Sequence, residues 1–379
     1  MKSKLPNVGT TIFTKMSTMA NEYNALNLSQ GFPDFDGSSV LHELVQKNIR
    51  KGHNQYAPMQ GEPTLREAIA YKTKRLYGHS YDKDLEITVT AGATQAIFTI
   101  ITACVFPGDE VIVFGPAYDC YEPAITLCGA KTKYINLKAP DYKVNFNELS
   151  QRINEKTRMI IINSPHNPTG AIWSDEDMLT LEKLLEDTEI IVLSDEVYEH
   201  ILFDGQKHCS IASYPGLAER AFSVSSFGKT YHITGWKLGY CLAPKKLMAE
   251  FRKVHQFNVF SCNNPMQKAL AEFMEDKSQY LNLPSFYQGK RDLFVNGLKG
   301  SRFKFIPTEG TYFQLLDYSD ISDLGDVEMA EFLVKNHGIA SIPISVFYDD
   351  APKEDRMLRF CFAKSEETIA QGCEILNAI

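Results

Sequence analysis

The stretch Ile190-Ile-Val-Leu-Ser194 is a short, continuously apolar run, typical of a strand that is buried on both faces of a sheet. Similar runs occur before and after it, at Met159–Asn163 and at Ala221–Ser225. A helical pattern, Asp175–Glu186, separates Met159–Asn163 from the quoted stretch. Apolar strands that alternate with helices indicate a mostly parallel sheet with helices on both faces. This part of the chain therefore predicts an α/β fold.

The same alternation extends outward over the middle of the chain. Seven strands are predicted there, at Ile87–Thr90, Val111–Phe114, Thr132–Asn136, Met159–Asn163, Ile190–Ser194, Ala221–Ser225 and Gly239–Ala243. A helix is predicted at Thr94–Val105, and the helix that follows Ser174 has Asp177 three residues later, which is typical of a capping box. We therefore expect a sheet of seven strands.

The last hundred residues follow a different pattern. Two helices are predicted, at Leu281–Leu298 and Val327–Asn336. Four strands are predicted around them, at Phe303–Pro307, Thr311–Leu316, Ile339–Pro343 and Met357–Ala363. We expect residues 285–379 to form a smaller α+β domain together with an N-terminal segment, residues 1–45, beside a large domain of residues 46–284. A small-molecule site is expected in the cleft between the two domains.

The composition argues against several classes of protein. The chain has 379 residues, of which 44% are hydrophobic, and its net charge of −8 argues against nucleic-acid binding. Its longest apolar run, Ala96–Phe106, is too short to cross a membrane, and the start of the chain does not resemble a signal peptide. The eight cysteines show no CxxC motif and no metal-binding pattern with histidine. A cytoplasmic protein without a bound metal is expected.

Lys229, in Ser226-Phe-Gly-Lys229-Thr, follows one of the predicted strands. A phosphate-binding P-loop would need glycine at position 223, where the chain has Ser223. A serine β-lactamase motif is also excluded, because neither Ser-Asp-Asn nor Lys-Thr-Gly follows. A lysine at the carboxyl edge of a parallel sheet can instead form an imine with an aldehyde cofactor. Alone, it would far more often be an ordinary exposed lysine.

Polar side chains follow neighbouring strands at the same predicted edge. Asp195 closes one strand, Tyr198 follows it by three positions, and Asn167 lies in a Pro-rich turn after another strand. Pyridoxal 5′-phosphate (PLP) needs a carboxylate at its ring nitrogen and hydrogen-bond donors at its phenolate oxygen. Asp195 suits the first need, and Tyr198 and Asn167 suit the second. Glu196 is interpreted as a cap of a following helix.

A turn between strand and helix, Thr90–Ala96, has features of a phosphate cradle. Unpaired N–H groups and the helix dipole favour an anion at such a turn. The candidate contacts are Gly92, Ala93, Thr94 and Gln95. An ordinary strand–helix turn is an equally good interpretation of this segment alone, and the absence of GxGxxG gives no support to a dinucleotide site.

Together, and in this order, these segments resemble the class I aminotransferases, which are PLP enzymes of fold type I. The resemblance runs from about Gly9 to Lys364 and is strongest to the methionine and kynurenine aminotransferase branch. It is carried by Leu28-Ser-Gln-Gly31-Phe-Pro-Asp-Phe35, Asn54-Gln-Tyr56-Ala-Pro, Ser194-Asp-Glu-Val-Tyr198-Glu-His and Ser225-Ser-Phe-Gly-Lys229-Thr-Tyr-His-Ile-Thr-Gly-Trp-Lys237. It implies a seven-stranded, mostly parallel sheet with helices on both faces, a smaller α+β domain and a transaminase activity.

The resemblance also implies a role for individual residues. Lys229 would hold PLP as a Schiff base, and Asp195 and Tyr198 would be its catalytic partners. Further cofactor contacts would come from Gly92, Ala93, Thr94, Gln95, Tyr118, Asn167, Ser226, Lys237 and, across a homodimer interface, Tyr56. Arg359 would bind the substrate carboxylate by a bidentate pair beside Gly31. The substrate would also contact Phe13, Phe32, Asn167 and Phe260.

The implied reaction is a ping-pong transfer of an amino group to a 2-oxo acid. No arginine or lysine occurs in His255–Asn264, which the resemblance places at the pocket wall, so a neutral sulfur-containing or aromatic donor is expected. Methionine, phenylalanine, tyrosine, histidine and kynurenine are the candidates, and Ser261, where kynurenine-type enzymes often have histidine, favours methionine. Two alternatives stay open: a cysteine-S-conjugate β-lyase that uses the same site and, more distantly, a non-catalytic PLP-binding regulatory domain.

Overall fold

The computed structural model describes residues 2–352 and 355–379. Twelve strands occur among them: β1 Leu26–Asn27, β2 Ile87–Thr90, β3 Glu110–Gly115, β4 Lys131–Asn136, β5 Thr157–Asn163, β6 Ile191–Asp195, β7 Ala221–Ser226, β8 Gly239–Leu242, β9 Phe313–Asp317, β10 Ile339–Ala340, β11 Ile342–Pro343 and β12 Met357–Cys361. All seven strands predicted for the middle of the chain are confirmed, with shifts of one or two residues at some ends.

Fifteen α-helices occur in the described part of the chain. They are α1 Ile12–Glu22, α2 Ser39–Arg50, α3 Pro63–Tyr77, α4 Ala93–Cys104, α5 Tyr121–Leu127, α6 Phe146–Arg152, α7 Asp175–Leu184, α8 Pro215–Ala218, α9 Phe227–Thr230, α10 Lys245–Asn258, α11 Asn264–Phe273, α12 Ser278–Leu281, α13 Leu283–Gly297, α14 Asp326–Phe332 and α15 Glu366–Asn377. The predicted capping box is present at α7, where Ser174 Oγ accepts from the Asp177 N–H and the Asp177 carboxylate accepts from the Ser174 N–H. No described helix is both long and apolar enough to span a membrane.

The seven predicted strands form one sheet in the order β2-β8-β7-β6-β5-β3-β4. Strands β4, β3, β5, β6 and β7 pair in parallel, whereas β8 is antiparallel to both β7 and β2. The expected seven-stranded, mostly parallel sheet is therefore confirmed. Because the parallel strands all end at the same edge, the residues that follow them are brought together there.

The two faces of this sheet are covered by different helices, because successive side chains of a strand point to opposite sides. Ile160 and Ile162 of β5 belong to a core that includes apolar residues of α3 and α7. Met159 and Ile161 pack on the other face, with apolar residues of α4 and α10. The continuous apolar runs of the sequence thus reflect burial on both faces.

The remaining strands form two small sheets. β11, β12 and β9 form an antiparallel sheet, and β1 pairs in parallel with β10, which joins the N-terminal segment to the C-terminal part of the chain. The predicted strand Phe303–Pro307 is wrong. Its single bridge joins Lys304 to Asp317, and the side chain of Gln314 bonds the backbone at Ile306 and Thr308 in place of a neighbouring strand.

Candidate active site

A cavity of about 400 Å³ lies at the carboxyl edge of the parallel strands. The last residues of three adjacent strands, Asn163 of β5, Asp195 of β6 and Ser226 of β7, all line it. Fourteen of the residues proposed from the sequence meet here: Phe13, Gly31, Phe32, Gly92, Ala93, Thr94, Tyr118, Asn167, Asp195, Tyr198, Ser226, Lys229, Lys237 and Arg359. Contributions from distant parts of the chain thus converge on one pocket.

Lys229 lies on the short helix α9, which starts directly after β7 and is capped by Ser226. Its Nζ donates hydrogen bonds to the Gly31 carbonyl, at 3.0 Å, and to the Tyr312 hydroxyl, at 2.9 Å. Burial lowers the pKa of the Lys229 amine to about 8, and the positive charges of Arg359 and Lys237 act in the same direction. More of this amine is therefore uncharged near neutral pH than in an ordinary lysine.

Asp195 is a buried carboxylate, with 3% of its surface exposed. One oxygen accepts a hydrogen bond from the Tyr121 hydroxyl at 2.6 Å, and the other accepts from the Val197 N–H at 3.3 Å. Burial raises the pKa of Asp195 to about 6, while the bond from Tyr121 opposes this rise. The shift indicates that the carboxylate has no close cationic partner from the chain itself.

The turn before α4 has the geometry of an anion site. Gly92 has a φ of +82°. Its carbonyl accepts the first intrahelical hydrogen bond of α4, from the Ala96 N–H. The preceding N–H groups of the helix therefore lack intrahelical acceptors. A Cβ at position 92 would lie 3.4 Å from Cε of Lys237, so the lysine approaches the turn closely. The exposed amine of Lys237 can add positive charge to this site.

Arg359, on β12, is 1% exposed. One terminal nitrogen donates to the side-chain oxygen of Asn167, at 2.7 Å, the other donates to the Ser29 carbonyl, at 3.1 Å, and Nε has no partner. The guanidinium carbon lies 3.9 Å from the centre of the Phe313 ring. A buried guanidinium without a carboxylate partner in the described chain is suited to bind an anionic ligand.

The aromatic residues proposed from the sequence divide into two groups. Tyr198 is buried and Tyr118 is half-buried at the cavity, and burial raises the pKa of both hydroxyls, so they are neutral hydrogen-bond donors. Tyr56 and Phe260 lie outside the cavity. Their rings pack edge to face, 5.3 Å apart, while Tyr56 stays 80% exposed and Phe260 stays 51% exposed.

Gln95 also lies outside the cavity lining, because its side chain turns back into the protein. Its oxygen accepts from the Ala91 N–H at 3.0 Å, and its nitrogen lies 3.2 Å from Nδ1 of His255. The helix-cap interpretation of Glu196 is wrong. No helix begins directly after it, and its buried carboxylate accepts from the Ser194 hydroxyl and from the distant Ile211 N–H and lies 2.8 Å from Nε2 of His208.

Sequence reasoning missed four residues with direct contacts to the site. Tyr121 and Tyr312 form hydrogen bonds with Asp195 and Lys229, and the Phe313 ring packs against the Arg359 guanidinium. The side chain of Asn163 accepts from the Asn167 N–H and donates to the Asp195 carbonyl. Asn163 could have been found as the last residue of a predicted strand. Tyr121 follows Tyr118 by three positions, but no local pattern marks Tyr312 or Phe313.

Comparison with known proteins agrees with this geometry. Residues 23–376 match the family described as aminotransferase class I and II. A methionine aminotransferase of Escherichia coli (strain K12) is 52% identical over 379 residues, which cover 100% of this chain and 98% of that protein. Kynurenine–oxoglutarate transaminase 3 of Homo sapiens is 33% identical, over 99% of this chain and 89% of that protein.

Solved structures lead to the same family. A crystal structure from Escherichia coli, reported with a methionine aminotransferase function, superposes with a TM-score of 0.98 at 51% identity, covering 100% of this chain and 99% of that one. The chain therefore belongs to the class I and II aminotransferases. The comparisons give no support to the β-lyase and regulatory-domain alternatives.

Proposed function

We propose that the chain is a PLP-dependent aminotransferase that takes its amino group from a neutral sulfur-containing or aromatic amino acid. One observation carries the proposal: Lys229, Asp195 and Arg359 line the same cavity, and none of them forms an ion pair within residues 2–352 and 355–379. Uncompensated buried charges are costly, so the site is built for a ligand of complementary charge.

The residues present fit PLP. Lys229 would hold it covalently, Asp195 would face the ring nitrogen, and Tyr118 would stack on the ring. Because the Asn167 oxygen already accepts from Arg359, its NH₂ group stays available, together with the Tyr198 hydroxyl, for the phenolate oxygen. The phosphate would bind at the turn before α4, with Ser226 and Lys237. When bound, PLP supplies an electron sink for the bonds at the substrate α-carbon.

The protein side chains then have separate tasks. Arg359 binds and orients the substrate carboxylate, and the bond from Tyr121 keeps Asp195 ionised. Lys229 Nζ would take the proton from the substrate α-carbon and pass it to the cofactor, a task suited to an amine whose pKa is about 8.

The substrate class follows from the charges that remain. In the described part of the chain, the cations that line the cavity are Lys229, Lys237 and Arg359, and each already has a task. A distal carboxylate of the substrate would therefore be buried without a partner. The wall instead offers Phe13, Phe32 and Phe313. The names of the relatives above, a methionine aminotransferase and a kynurenine transaminase, support the same class.

A single-turnover experiment tests the proposal. The PLP-loaded protein is mixed separately with methionine, phenylalanine and aspartate, and loss of the cofactor absorption is followed. Methionine is expected to react fastest, followed by phenylalanine, with aspartate slowest by about tenfold or more. Aspartate as fast as methionine would contradict the substrate class, and no reaction with any of the three would contradict the function.

We further propose a cytoplasmic homodimer in which Tyr56 of one subunit contacts the phosphate bound by the other. The exposed pair of Tyr56 and Phe260 supports this, because large exposed aromatic side chains often mark interfaces. We also propose that residues 46–284 form the large domain and that residues 1–45 join residues 285–379, as the pairing of β1 with β10 suggests.

A further inference from the structure

The amine of Lys229 is held by two oxygen atoms that come from distant parts of the chain. It donates to the Gly31 carbonyl at 3.0 Å and to the Tyr312 hydroxyl at 2.9 Å. The Tyr312 hydroxyl also lies 2.6 Å from the same carbonyl, to which it donates its own proton. Because this proton is committed to Gly31, the Tyr312 oxygen acts towards Lys229 as an acceptor.

This triangle of hydrogen bonds determines the orientation of an uncharged amine. A neutral primary amine has two N–H groups and one lone pair on a tetrahedral nitrogen. When both N–H groups are directed to Gly31 and Tyr312, the lone pair occupies the remaining position. Lys229 lines the cavity, so the lone pair is left for a ligand there.

We propose that Tyr312 is a positioning residue which, with the Gly31 carbonyl, holds the free Lys229 amine so that its lone pair faces the bound amino acid. The inference rests on the proposed function, because the orientation matters when Lys229 acts as a base. It assigns Tyr312, which no sequence motif marks, to the proton-transfer step.

The packing around Tyr312 makes it a rigid support. Its side chain is fully buried, its ring lies edge-on to Tyr198 at 5.1 Å, and it lies 5.6 Å from the ring of Tyr287. Tyr287 is a neighbour of the same chemistry, also fully buried, but its hydroxyl has no hydrogen-bond partner. Tyr287→Phe is therefore a matched control for Tyr312→Phe, since each variant loses one buried hydroxyl and keeps its ring.

The first test is a single turnover of the PLP-loaded protein with methionine and with methionine deuterated at the α-carbon. Tyr312→Phe is expected to slow the reaction by about tenfold to a hundredfold, because a displaced base transfers the proton less efficiently. The deuterium isotope effect should increase, as proton transfer then limits the rate more strongly. Tyr287→Phe should match the unchanged protein in both respects, and the two variants should bind PLP equally well. Both should stay folded at the assay temperature, although Tyr312→Phe loses hydrogen bonds that Tyr287→Phe does not.

The second test needs no catalysis. In the cofactor-free protein, Lys229 is labelled with formaldehyde and cyanoborohydride over a range of pH, and the labelled peptide is quantified. The midpoint is expected near the pKa of about 8 in the unchanged protein. It should fall in Tyr312→Phe, because an acceptor oxygen stabilises the ammonium form more than the amine. If Tyr312→Phe reacts more slowly although more of its Lys229 amine is uncharged at neutral pH, the loss of rate comes from the orientation of the amine and not from its protonation state.

Several results would overturn the inference. If the unchanged protein is active and Tyr312→Phe reacts as fast as Tyr287→Phe, Tyr312 does not position Lys229. A slow Tyr312→Phe variant with an unchanged isotope effect, or one with an unchanged labelling midpoint, also excludes this role. If the unchanged protein converts no amino acid at all, the proposed function fails and the inference fails with it.

Discussion

Asp195 is useful to a pyridine cofactor as an ionised group, yet it lies where ionisation is unfavourable. Burial raises its pKa to about 6, and the neighbouring charge of Glu196 acts in the same direction. The Tyr121 hydroxyl, at 2.6 Å, is the side-chain donor that favours the anion. We therefore regard Tyr121 and Asp195 as one unit.

Tyr121→Phe should slow transamination by about tenfold, which corresponds to about 1.4 kcal/mol of activation free energy. The variant keeps the ring but loses the donor, so the proton shared by Asp195 and the cofactor nitrogen moves towards Asp195. Asp195→Asn, which cannot ionise, should lose more activity while it still folds and binds PLP. The measurement is kcat/KM with methionine for both variants.

Tyr134→Phe is the control, because its hydroxyl bonds the exposed Glu122 and neither residue lines the cavity. The control is expected to be the most active of the three variants, Tyr121→Phe less active, and Asp195→Asn the least active. A Tyr121→Phe variant as active as the control would show that Asp195 does not need this hydrogen bond.

At this scale the sequence predicts residues that end strands or belong to motifs, such as Lys229, Asp195 and Asn167. It does not reveal Tyr121 or Tyr312, because their contacts depend on tertiary structure. Tyr121 lies 74 positions before Asp195, and Tyr312 lies 83 positions after Lys229. No local spacing encodes such a pair.

Among the elements, strands buried on both faces were predicted well. β2, Ile-Thr-Val-Thr, has the predicted bounds, and all four of its residues are buried. Phe303–Pro307 begins with a buried residue followed by an exposed one, but this pattern does not specify a partner strand, and the side chain of Gln314 replaces one. A sequence pattern thus reports burial more reliably than pairing.

The first turn of α4 illustrates how an element is prepared for a ligand. The Gln95 side-chain oxygen accepts a hydrogen bond from the Ala91 N–H at 3.0 Å. The N–H groups between Ala91 and Ala96 have no intrahelical acceptor. Thr99 and His255 hold the other end of the Gln95 side chain. Gln95 therefore supports the proposed phosphate-binding turn through its contacts with Ala91, Thr99 and His255, and its sequence position alone could not distinguish this from direct contact.

Gln95→Leu should weaken PLP binding by about tenfold, because the turn loses its support and the Ala91 N–H loses its acceptor. Binding of pyridoxal, which lacks the phosphate, should change much less. The two affinities are measured by titration of the cofactor-free protein. Thr102→Ala on the same helix, where the exposed hydroxyl bonds the Phe98 carbonyl, is the control. Equal weakening for both ligands would indicate a general loss of stability instead.

For the whole molecule, the exposed aromatic residues of one region need an explanation. Tyr56 and Phe260 form an edge-to-face pair, and Phe257, on the adjoining end of α10, is 86% exposed. The segment is well anchored, since the Ser261 hydroxyl bonds the Ala57 carbonyl and Asn264 bonds the Gln55 carbonyl. A rigid segment that presents aromatic rings to solvent is typical of a surface that contacts a partner.

If that partner is a second copy, each active site combines Lys229 of one subunit with Tyr56 of the other. A Lys229→Ala chain and a Tyr56→Ala chain, each with low activity alone, should then recover activity when they are co-expressed. In the mixed dimer, the intact Lys229 meets the intact Tyr56 in one of the two sites. One of the two sites of each mixed dimer is intact, so the purified mixed dimer is expected to have about half of the unchanged activity.

The experiment needs two affinity tags, one on each chain, so that the mixed dimer is purified before its activity with methionine is measured. A mixture of Lys229→Ala with Lys229→Ala,Tyr56→Ala is the control, because it contains no intact lysine and should stay inactive. Purified mixed dimers without recovered activity would exclude a shared site. Recovery in the test pair but not in the control would assign Tyr56 to the neighbouring subunit's site, because no single chain in that mixture carries both residues intact.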